Sequence, residues 1–278
     1  MTSNKLQGLL ALTLAAALSA GTALAQDAKT TINVGTITTY PPLEFKDPQT
    51  GELTGFNHDV MEAIAAKAGL TINWVEAAWA EQASFAPLKV GRMDVATGVM
   101  VDNPEKRADV SYLDFMNDPY TFYTTNQRAG EFTDLTALCG KRVAMTRGSS
   151  TTGAAVERWN EENCVKAGKP PLEQQAANST PDQQLMLKQG RVDAGFTAKS
   201  SFAQAKLTGV DEYTALGEPL VTVMYGFPFL ATNTELGDKL KAALDEVIAD
   251  GTYGKLIEKW KLTEDSSIGT TATINAGK

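Results

Sequence analysis

The sequence is poor in the two side chains that most often build metal centres and nucleophilic active sites. It has a single histidine, His58, and two cysteines among 278 residues. Zinc and most transition-metal sites need clusters of His and Cys, so no metal ligand is predicted. A nucleophile activated by histidine would depend on His58 alone, and no catalytic residue is assigned. Since Asn57 is predicted as a helix N-cap, His58 is expected to be an exposed first-turn residue.

An excess of basic residues is also missing, because the chain carries 25 Lys and Arg against 33 Asp and Glu. Proteins that bind nucleic acid usually present a basic patch, so nucleic acid is not an expected partner. The sequence also lacks the phosphate-binding motif G-x-x-x-x-G-K-[ST], and no cofactor is predicted.

Only one long apolar run occurs, and it lies at the N-terminus. Lys5 is followed by LLALTLAAALSAGTALA, which ends in Ala23-Leu24-Ala25. This pattern is typical of a secretory signal peptide, residues 1–25, cleaved after Ala25. No later segment has the roughly 18 consecutive apolar residues that span a bilayer, and no cysteine near the cleavage site offers a lipid anchor. We expect a soluble protein in the periplasm.

The two cysteines are Cys139 and Cys164. In an exported chain such a pair is far more often a disulfide than a metal or redox site. We therefore predict a structural disulfide between them.

The hydrophobic periodicity alternates between strands and helices. Thr31–Thr38 is predicted as a strand, Asp59–Lys67 as an apolar-faced helix ended by Gly69, and Thr71–Val75 as the next strand. The segment Gly91-Arg92-Met93-Asp94-Val95 is repeated as Gly190-Arg191-Val192-Asp193-Ala194, each time after a helical pattern and before a strand. The sequence therefore predicts two α/β regions.

Two extended stretches connect these regions, Asn117–Arg128 and Gly217–Asn233. Two long connections between the same lobes predict a two-stranded hinge, so the fold class is α/β with two lobes, each a mostly parallel sheet flanked by helices. Lobe 1 is discontinuous, residues 26–120 and 224–278, and lobe 2 is residues 121–223. Ligands of open α/β sheets lie outside the carboxyl ends of the strands, which here is the cleft between the lobes.

Several side chains at predicted strand ends suit a ligand. Tyr40 begins YPPLEF, where two prolines stiffen the exit from a strand. Trp79 lies in the loop after Thr71–Val75 and could face Tyr40, so that the two rings enclose an apolar or cationic group. Arg107 follows VDNPEK, near a helix start where its five donors could bind a carboxylate. Each of these three residues could instead be an ordinary core, rim or surface residue.

A turn rich in Gly, Ser and Thr follows the strand KRVAMT and precedes a helix pattern. It contains Ser149 and Ser150. Backbone N–H groups and hydroxyls at a helix N-terminus can bind an anion, although ordinary helix capping explains the same residues.

Taken together, these segments resemble one family. YPPLEF, GELTGFNHDVMEAIAAKAGL, PLKVGRMDV, NPEKRAD, DPY, DLTALCGKRVAMTRGSS, LMLKQGRVDA and DGTYGKLIEKW occur in the order seen in the polar amino-acid family of type II periplasmic solute-binding proteins, family 3 of the binding proteins that serve ABC importers. The resemblance covers Thr31–Leu262. It implies a monomer that binds a small carboxylate-bearing solute and delivers it to an ABC permease in the inner membrane.

The resemblance also implies roles for individual residues. Tyr40 and Trp79 look like the two aromatic walls, although the spacing from Trp79 to Asp94 is about two residues longer than usual. Arg107 and the backbone N–H of Ser150 would bind the α-carboxylate. Gly98 and Met100 fall where the family contacts its ligand through backbone and small hydroxyl groups.

One position departs from the family pattern. An aspartate usually follows the second GRVDA motif by five residues and binds the α-ammonium, but Ala198 stands here. An ammonium without an acceptor in a closed cleft is costly, so either another acid replaces the aspartate or the ligand has no α-ammonium. The neighbouring Lys199 could bind a second anionic group, or it could simply point to solvent.

Two alternatives stay open at this point. Some proteins of this fold resemble secreted cyclohexadienyl dehydratases, which need a general acid, and Glu44 and Glu81 are the only acids predicted near the cleft. A sensory or accessory binding protein of the same fold would have the same sequence features. The binding protein without enzymatic activity is the main prediction.

Overall fold

The computed structural model describes residues 30–147 and 150–277, and the predicted signal peptide and Ser149 lie outside these ranges. Its strands are β1 (Thr31–Thr36), β2 (Thr39–Tyr40), β3 (Glu44–Lys46), β4 (Leu53–Thr54), β5 (Thr71–Glu76), β6 (Val95–Ala96), β7 (Val110–Thr125), β8 (Arg142–Thr146), β9 (Glu173–Ala177), β10 (Ala194–Ala198), β11 (Tyr213–Leu230) and β12 (Thr273–Ile274). Its helices are α1 (Phe56–Ala68), α2 (Trp79–Ala83), α3 (Ala86–Lys89), α4 (Ser150–Asn160), α5 (Thr180–Lys188), α6 (Ser200–Leu207), α7 (Thr234–Ala249) and α8 (Thr252–Lys259). Short 3-10 or π turns occur at residues 104–106, 129–132, 135–138, 161–165 and 264–266.

Two groups of parallel strands lie on either side of a long antiparallel ribbon. The strand order is β5-β1-β6-β11-β7-β10-β8-β9, and β12 pairs with β7. The ribbon is formed by β7 and β11, the two stretches predicted as the hinge, and their pairing runs from the first parallel group to the second. This arrangement confirms the two-lobed α/β fold. The lobe boundaries predicted from the sequence fall inside β7 and β11 and remain a prediction.

The repeated GR-x-D motif makes the same contacts in both lobes. Gly91 and Gly190 have positive φ of 71° and 65°, a backbone conformation that glycine adopts without strain. The following aspartates then bond to the first residues of a neighbouring strand: Asp94 Oδ2 accepts from the backbone N–H of Asn33 at 2.7 Å, and Asp193 Oδ2 from that of Arg142 at 3.0 Å. The motif therefore ties a helix end to a parallel strand in each lobe.

The predicted disulfide is present. Cys139 and Cys164 are bonded, with their Cα atoms 5.5 Å apart. It joins the segment before β8 to the turn after α4, so it fixes the C-terminal end of α4 to the start of β8. Within the described residues, no helix combines the length and the apolar character that crossing a bilayer requires.

The start of α1 differs from its prediction. Its N-cap is Gly55, and Asn57 lies inside the helix, fully buried, where its Nδ2 donates to the carbonyl of Thr97 at 3.0 Å. His58 is not an exposed residue either, because its side chain is 19% exposed and its ring stacks on Trp74. Burial of Asn57 against Thr97 turns the helix so that His58 faces β5.

Candidate functional site

Two adjoining cavities lie between the Tyr40 segment and lobe 2. The smaller encloses about 100 Å³ and is lined by Tyr40, Tyr120, Met145, Thr146, Thr152, Thr180, Phe196 and Thr197. The larger, which we call the chamber, encloses about 670 Å³ and shares Tyr40, Thr146 and Thr180 with it. The smaller cavity lies at the carboxyl ends of β8 and β10 and at the starts of α4 and α5, and the chamber lies at the end of β8 between α5 and α6. This is the place where an open α/β sheet is expected to bind a ligand.

Tyr40 is the only sequence-predicted aromatic that lines both cavities among the described residues. It ends β2, pairs with Glu44 of β3, and its carbonyl accepts from the N–H of Leu43 at 3.0 Å, so Pro41 and Pro42 form a tight turn behind it. Tyr40 is 37% exposed, and burial of its hydroxyl, with the nearby Tyr120 and Asp118, raises its pKa. The ring is therefore a neutral, fixed wall.

The hinge strands supply the floor beneath Tyr40. The hydroxyls of Tyr120 in β7 and Tyr225 in β11 lie 3.2 Å apart. Asp118, two residues before Tyr120, is fully buried and accepts from Ser200 Oγ at 2.7 Å. Burial raises the pKa of Asp118 to about 7, against the effect of its bonds from Ser200. Asp118, Tyr120 and Tyr225 lie on the ribbon between the lobes. Movement of one lobe toward the other would therefore change the residues that surround them.

The lobe 2 wall of the site is a set of linked hydroxyls. The hydroxyl oxygens of Thr180 and Thr197 lie 2.8 Å apart, and those of Thr197 and Ser201 lie 3.2 Å apart. Gln183 Nε2 donates to Thr146 Oγ1 at 2.9 Å and holds that side chain at the end of β8. The sequence analysis did not assign these residues, and the only local signal was the helix start Ser179-Thr180-Pro181.

The start of α4 forms the closed end of the smaller cavity. Ser150 is the first residue of this helix, and Thr152, in its first turn, lines the cavity. Backbone N–H groups at a helix N-terminus, together with the adjacent Thr hydroxyls, favour a carboxylate. Ser149 lies outside the described residues, so its predicted role remains a prediction.

Five other predicted site residues line neither cavity in the described part of the chain: Trp79, Gly98, Met100, Arg107 and Ala198. Trp79 is the first residue of α2 and is 53% exposed. Met100 is 4% exposed in a hydrophobic cluster of lobe 1, and a Cβ built on Gly98 would lie 3.2 Å from Ile37 and 3.4 Å from Met100. Their assignment as ligand contacts stays a prediction, and it would require one lobe to close onto the other.

Arg107 is held by a buried acid. Its Nε and Nη2 donate to the two carboxylate oxygens of Asp102 at 3.0 and 2.7 Å, and Nη2 also donates to the carbonyl of Gly277 at 2.5 Å. These bonds use Nε and Nη2, and no bond from Nη1 to another described residue is found, so Nη1 is the nitrogen that could donate to a ligand. The hydrogen bonds to the Asp102 carboxylate raise the pKa of Arg107 further.

Ala198 lies at the end of β10, is 1% exposed, and pairs with Tyr120 of the hinge. The neighbouring Lys199 does not point to an anionic ligand here, because its Nζ forms an ion pair with Asp265 at 2.6 Å. No Asp or Glu is among the described residues that line the two cavities. The acid expected for an α-ammonium is therefore not replaced within these walls.

Glu44 is sealed beneath the Tyr40 turn. It is 0% exposed, and Oε1 accepts from Thr36 Oγ1 at 2.5 Å and is also hydrogen-bonded to Thr97 Oγ1. Burial raises its pKa to about 7. Glu81, the other acid predicted near the cleft, forms a surface ion pair with Arg92. Within the described residues, no group of three His, Cys, Asp or Glu could hold a metal ion.

Comparison with known proteins identifies the family. Residues 32–263 match the family described as bacterial extracellular solute-binding proteins, family 3. The chain is 28% identical over 236 residues to the L-cystine-binding protein TcyA of Bacillus subtilis, covering 84% of this chain and 81% of that protein. It is 26% identical over 238 residues to the L-arginine-binding protein of Pseudomonas aeruginosa, covering 82% and 87% of the two chains.

A solved structure shares the fold. The ancestral amino-acid-binding protein AncCDT-1, described as a precursor of cyclohexadienyl dehydratase, superposes with a TM-score of 0.62 at 25% identity, covering 83% of this chain and 95% of that one. The family match spans most of the chain and confirms the resemblance seen in the motifs. The chain therefore belongs to the bacterial extracellular solute-binding proteins of family 3.

Proposed function

We propose that the protein closes its two lobes over a small carboxylate-bearing solute, an amino acid or a similar compound, and delivers it to an ABC permease. The observation that carries this proposal is the pair of cavities between Tyr40 and the β8–α4, β10 and α5 face of lobe 2. The smaller cavity, with the start of α4 and its Thr hydroxyls, would take the carboxylate. The Tyr40 ring would cover the solute, and the β7–β11 ribbon would be the hinge.

The related proteins support a solute of this class, since the two named relatives are an L-cystine-binding and an L-arginine-binding protein. We also propose that the protein acts as a monomer in the periplasm after removal of residues 1–25. An enzymatic role has less support, because Glu44 is sealed from solvent and Glu81 is paired with Arg92. Turnover of prephenate or arogenate by the purified protein would overturn the proposal that it is not an enzyme.

A thermal-shift screen of ligand-stripped protein tests the proposed function. Each α-amino acid is compared with its deaminated analogue, because Ala198 leaves the α-ammonium without the usual aspartate. A ligand at about 100 times its dissociation constant should stabilise the folded protein by roughly 2.7 kcal/mol and raise the unfolding midpoint. We expect at least one carboxylate-bearing compound to do so. If none does, the proposed solute class is wrong.

The ring of Tyr40 should supply a large part of the affinity. We expect Tyr40→Ala to weaken binding of the ligand found in the screen about tenfold or more, since an aromatic contact of this kind is worth about 1 kcal/mol beyond its buried area. Tyr40→Phe keeps the ring and should stay within about threefold of the wild type. Titration calorimetry measures both. Equal affinities for the wild type and Tyr40→Ala would show that the ring is not a wall of the ligand site.

Trp79→Ala is the matched comparison, because both aromatics were assigned from the sequence and only Tyr40 lines the cavities. We expect a smaller loss of affinity than for Tyr40→Ala. A larger loss would mean that lobe closure brings Trp79 onto the ligand and that Tyr40 is the lesser wall.

A further inference from the structure

The chamber that adjoins the smaller cavity is walled by uncharged residues, both apolar and polar. Its fourteen lining residues, all described, include no Asp, Glu, Lys, Arg or His. They are Thr39, Tyr40, Pro41, Thr146, Asn178, Ser179, Thr180, Pro181, Gln184, Ser201, Gln204, Ala205, Thr208 and Val210. Hydroxyls and carboxamides thus dominate the polar part of this wall. The chamber is also far larger than the smaller cavity, so it has room for a side chain of several heavy atoms.

Two charged residues near the chamber already bond to other residues. Asp182, one turn into α5, accepts from both the backbone N–H and Nδ2 of Asn178, at 2.9 and 3.1 Å. Lys199, at the start of α6, is paired with Asp265. Neither side chain lines the chamber, so a cationic or anionic group that enters it would lose hydration without meeting a charged side chain in the wall, which disfavours it.

One buried acceptor in the wall has no donor. Gln204 Oε1 is inaccessible to solvent and accepts no hydrogen bond from any described residue. Other hydroxyls of the wall already form hydrogen bonds within the protein. Thr180 bonds to Thr197, and Thr208 Oγ1 donates to the backbone carbonyl of Gln204 at 3.1 Å. A buried carbonyl oxygen without a donor is costly, so this atom favours an occupant that brings an N–H group.

We propose that the chamber is the side-chain subsite of the bound solute and that it selects an uncharged side chain with an N–H donor, a carboxamide or ureido group, over a cationic or an anionic one. This proposal rests on the proposed function, because it assumes that the carboxylate occupies the smaller cavity. Rotation of the Gln204 carboxamide, whose Oε1 has no donor in its buried position, would bring this oxygen into the chamber to accept from the N–H group. Gln184, on the facing helix α5, would offer a second carboxamide.

Titration calorimetry of the ligand-stripped full chain with paired probes tests this inference. Citrulline is compared with arginine, which has nearly the same shape and a positive charge, and glutamine with glutamate. The deaminated pair glutaramate and glutarate repeats the comparison for a ligand without an α-ammonium. We expect the uncharged member of at least one pair to bind about tenfold or more tightly than the charged one.

A substitution in the wall should shift this preference. Gln204→Glu places a carboxylate in the chamber and should raise the affinity for arginine relative to citrulline about tenfold. Gln189→Glu is the matched control, because Gln189 is exposed at the end of α5 and lines neither cavity. The control changes the net charge equally and should leave the ratio unchanged. The same shift in both variants would show that net charge, and not the chamber, sets the preference.

The outcomes separate this inference from the proposed function. If in every pair the charged member binds as tightly as its uncharged partner in the wild type, the selectivity proposed here is wrong, while the solute-binding function stands. If no carboxylate-bearing compound binds, the proposed function fails and this inference fails with it.

Discussion

Arg107→Ala should lower the free energy of unfolding by about 3 kcal/mol, because it leaves a buried carboxylate without its cation. The two carboxylate oxygens of Asp102 both accept from Arg107, and Asp102 is 1% exposed. The carboxyl of Asp114 lies close by and is also buried, so repulsion between the two acids adds to the cost of the lost cation. Chemical denaturation with a two-state fit measures the change. A loss below about 1 kcal/mol would mean that the Arg107–Asp102 pair contributes little to folding.

Two variants show whether charge is the cause. Asp102→Asn combined with Arg107→Ala removes both charges and should recover most of the lost stability, because breaking a buried pair costs more than replacing it. Arg158→Ala, at an exposed position of α4, should change the free energy of unfolding by less than about 0.5 kcal/mol. If the double variant is no more stable than Arg107→Ala alone, lost packing of the Arg107 stem explains the effect.

The same double variant tests the predicted grip on the carboxylate. Because the double variant is expected to be nearly as stable as the wild type, a loss of ligand affinity in it cannot come from unfolding. Such a loss would report a direct contact between Arg107 and the ligand. If Nη1 of Arg107 binds the carboxylate, the double variant should bind about tenfold or more weakly than Asp102→Asn. Equal affinities of these two variants would show that Arg107 only neutralises Asp102 and fixes the chain end through Gly277.

The sequence predicted the features that depend on neighbouring residues. The helix that ends at Gly69, the repeated GR-x-D motif and the two hinge strands all have local signals, either periodicity or a glycine with positive φ. The disulfide was predicted because the chain has an export signal and only two cysteines, and it is present.

Features that depend on distant segments were not predicted. Asn57 was assigned as a helix cap from its own neighbours, but Thr97, 40 residues away, draws it into the core. Thr197 and Gln204 line or border the cavities only because β10 and α6 pack beside Tyr40, 157 and 164 residues earlier in the chain. No local pattern in the sequence carries that information. The same holds for the bonds around Glu44, which join β1, β3 and the segment after β6.

Glu44→Gln should raise the free energy of unfolding by roughly 3 kcal/mol at pH 8 and by much less at pH 4. Burial raises the pKa of Glu44 from 4.5 to about 7 in the folded protein. At a pH between these two pKa values, Glu44 has lost its proton in the unfolded chain and keeps it in the folded protein. The free energy of unfolding therefore falls as the pH rises from about 4.5 to 7. Above that range both states are ionised and the difference stays constant. Glutamine removes this contribution.

The hydrogen bonds around Glu44 are consistent with a proton on this side chain. The hydroxyl of Thr97 has one hydrogen but makes two hydrogen bonds, one to the carbonyl of Gly35 at 2.8 Å and one to Glu44. If the hydrogen points to Gly35, Glu44 must be the donor in the other bond. Glu44 Oε2 and Asn57 Oδ1 are both buried without a donor from the described residues. Asn57 is a hydrogen-bonding neighbour of Glu44, so the amide NH₂ that Glu44→Gln introduces could satisfy Asn57 Oδ1.

The measurement is the free energy of unfolding of the wild type and Glu44→Gln at several pH values from about 4 to about 8. The difference between the two curves isolates Glu44 from Asp114 and Asp118, whose pKa values are also raised to about 7. Glu52→Gln, at an exposed position before β4, is the control and should leave the curve parallel to that of the wild type. A constant difference between wild type and Glu44→Gln across the whole range would mean that Glu44 is already ionised in the folded protein. A buried negative charge would then lie beneath the Tyr40 turn, and it would favour a cationic group in the cleft through its field, since Glu44 lines neither cavity and cannot bond to the ligand directly.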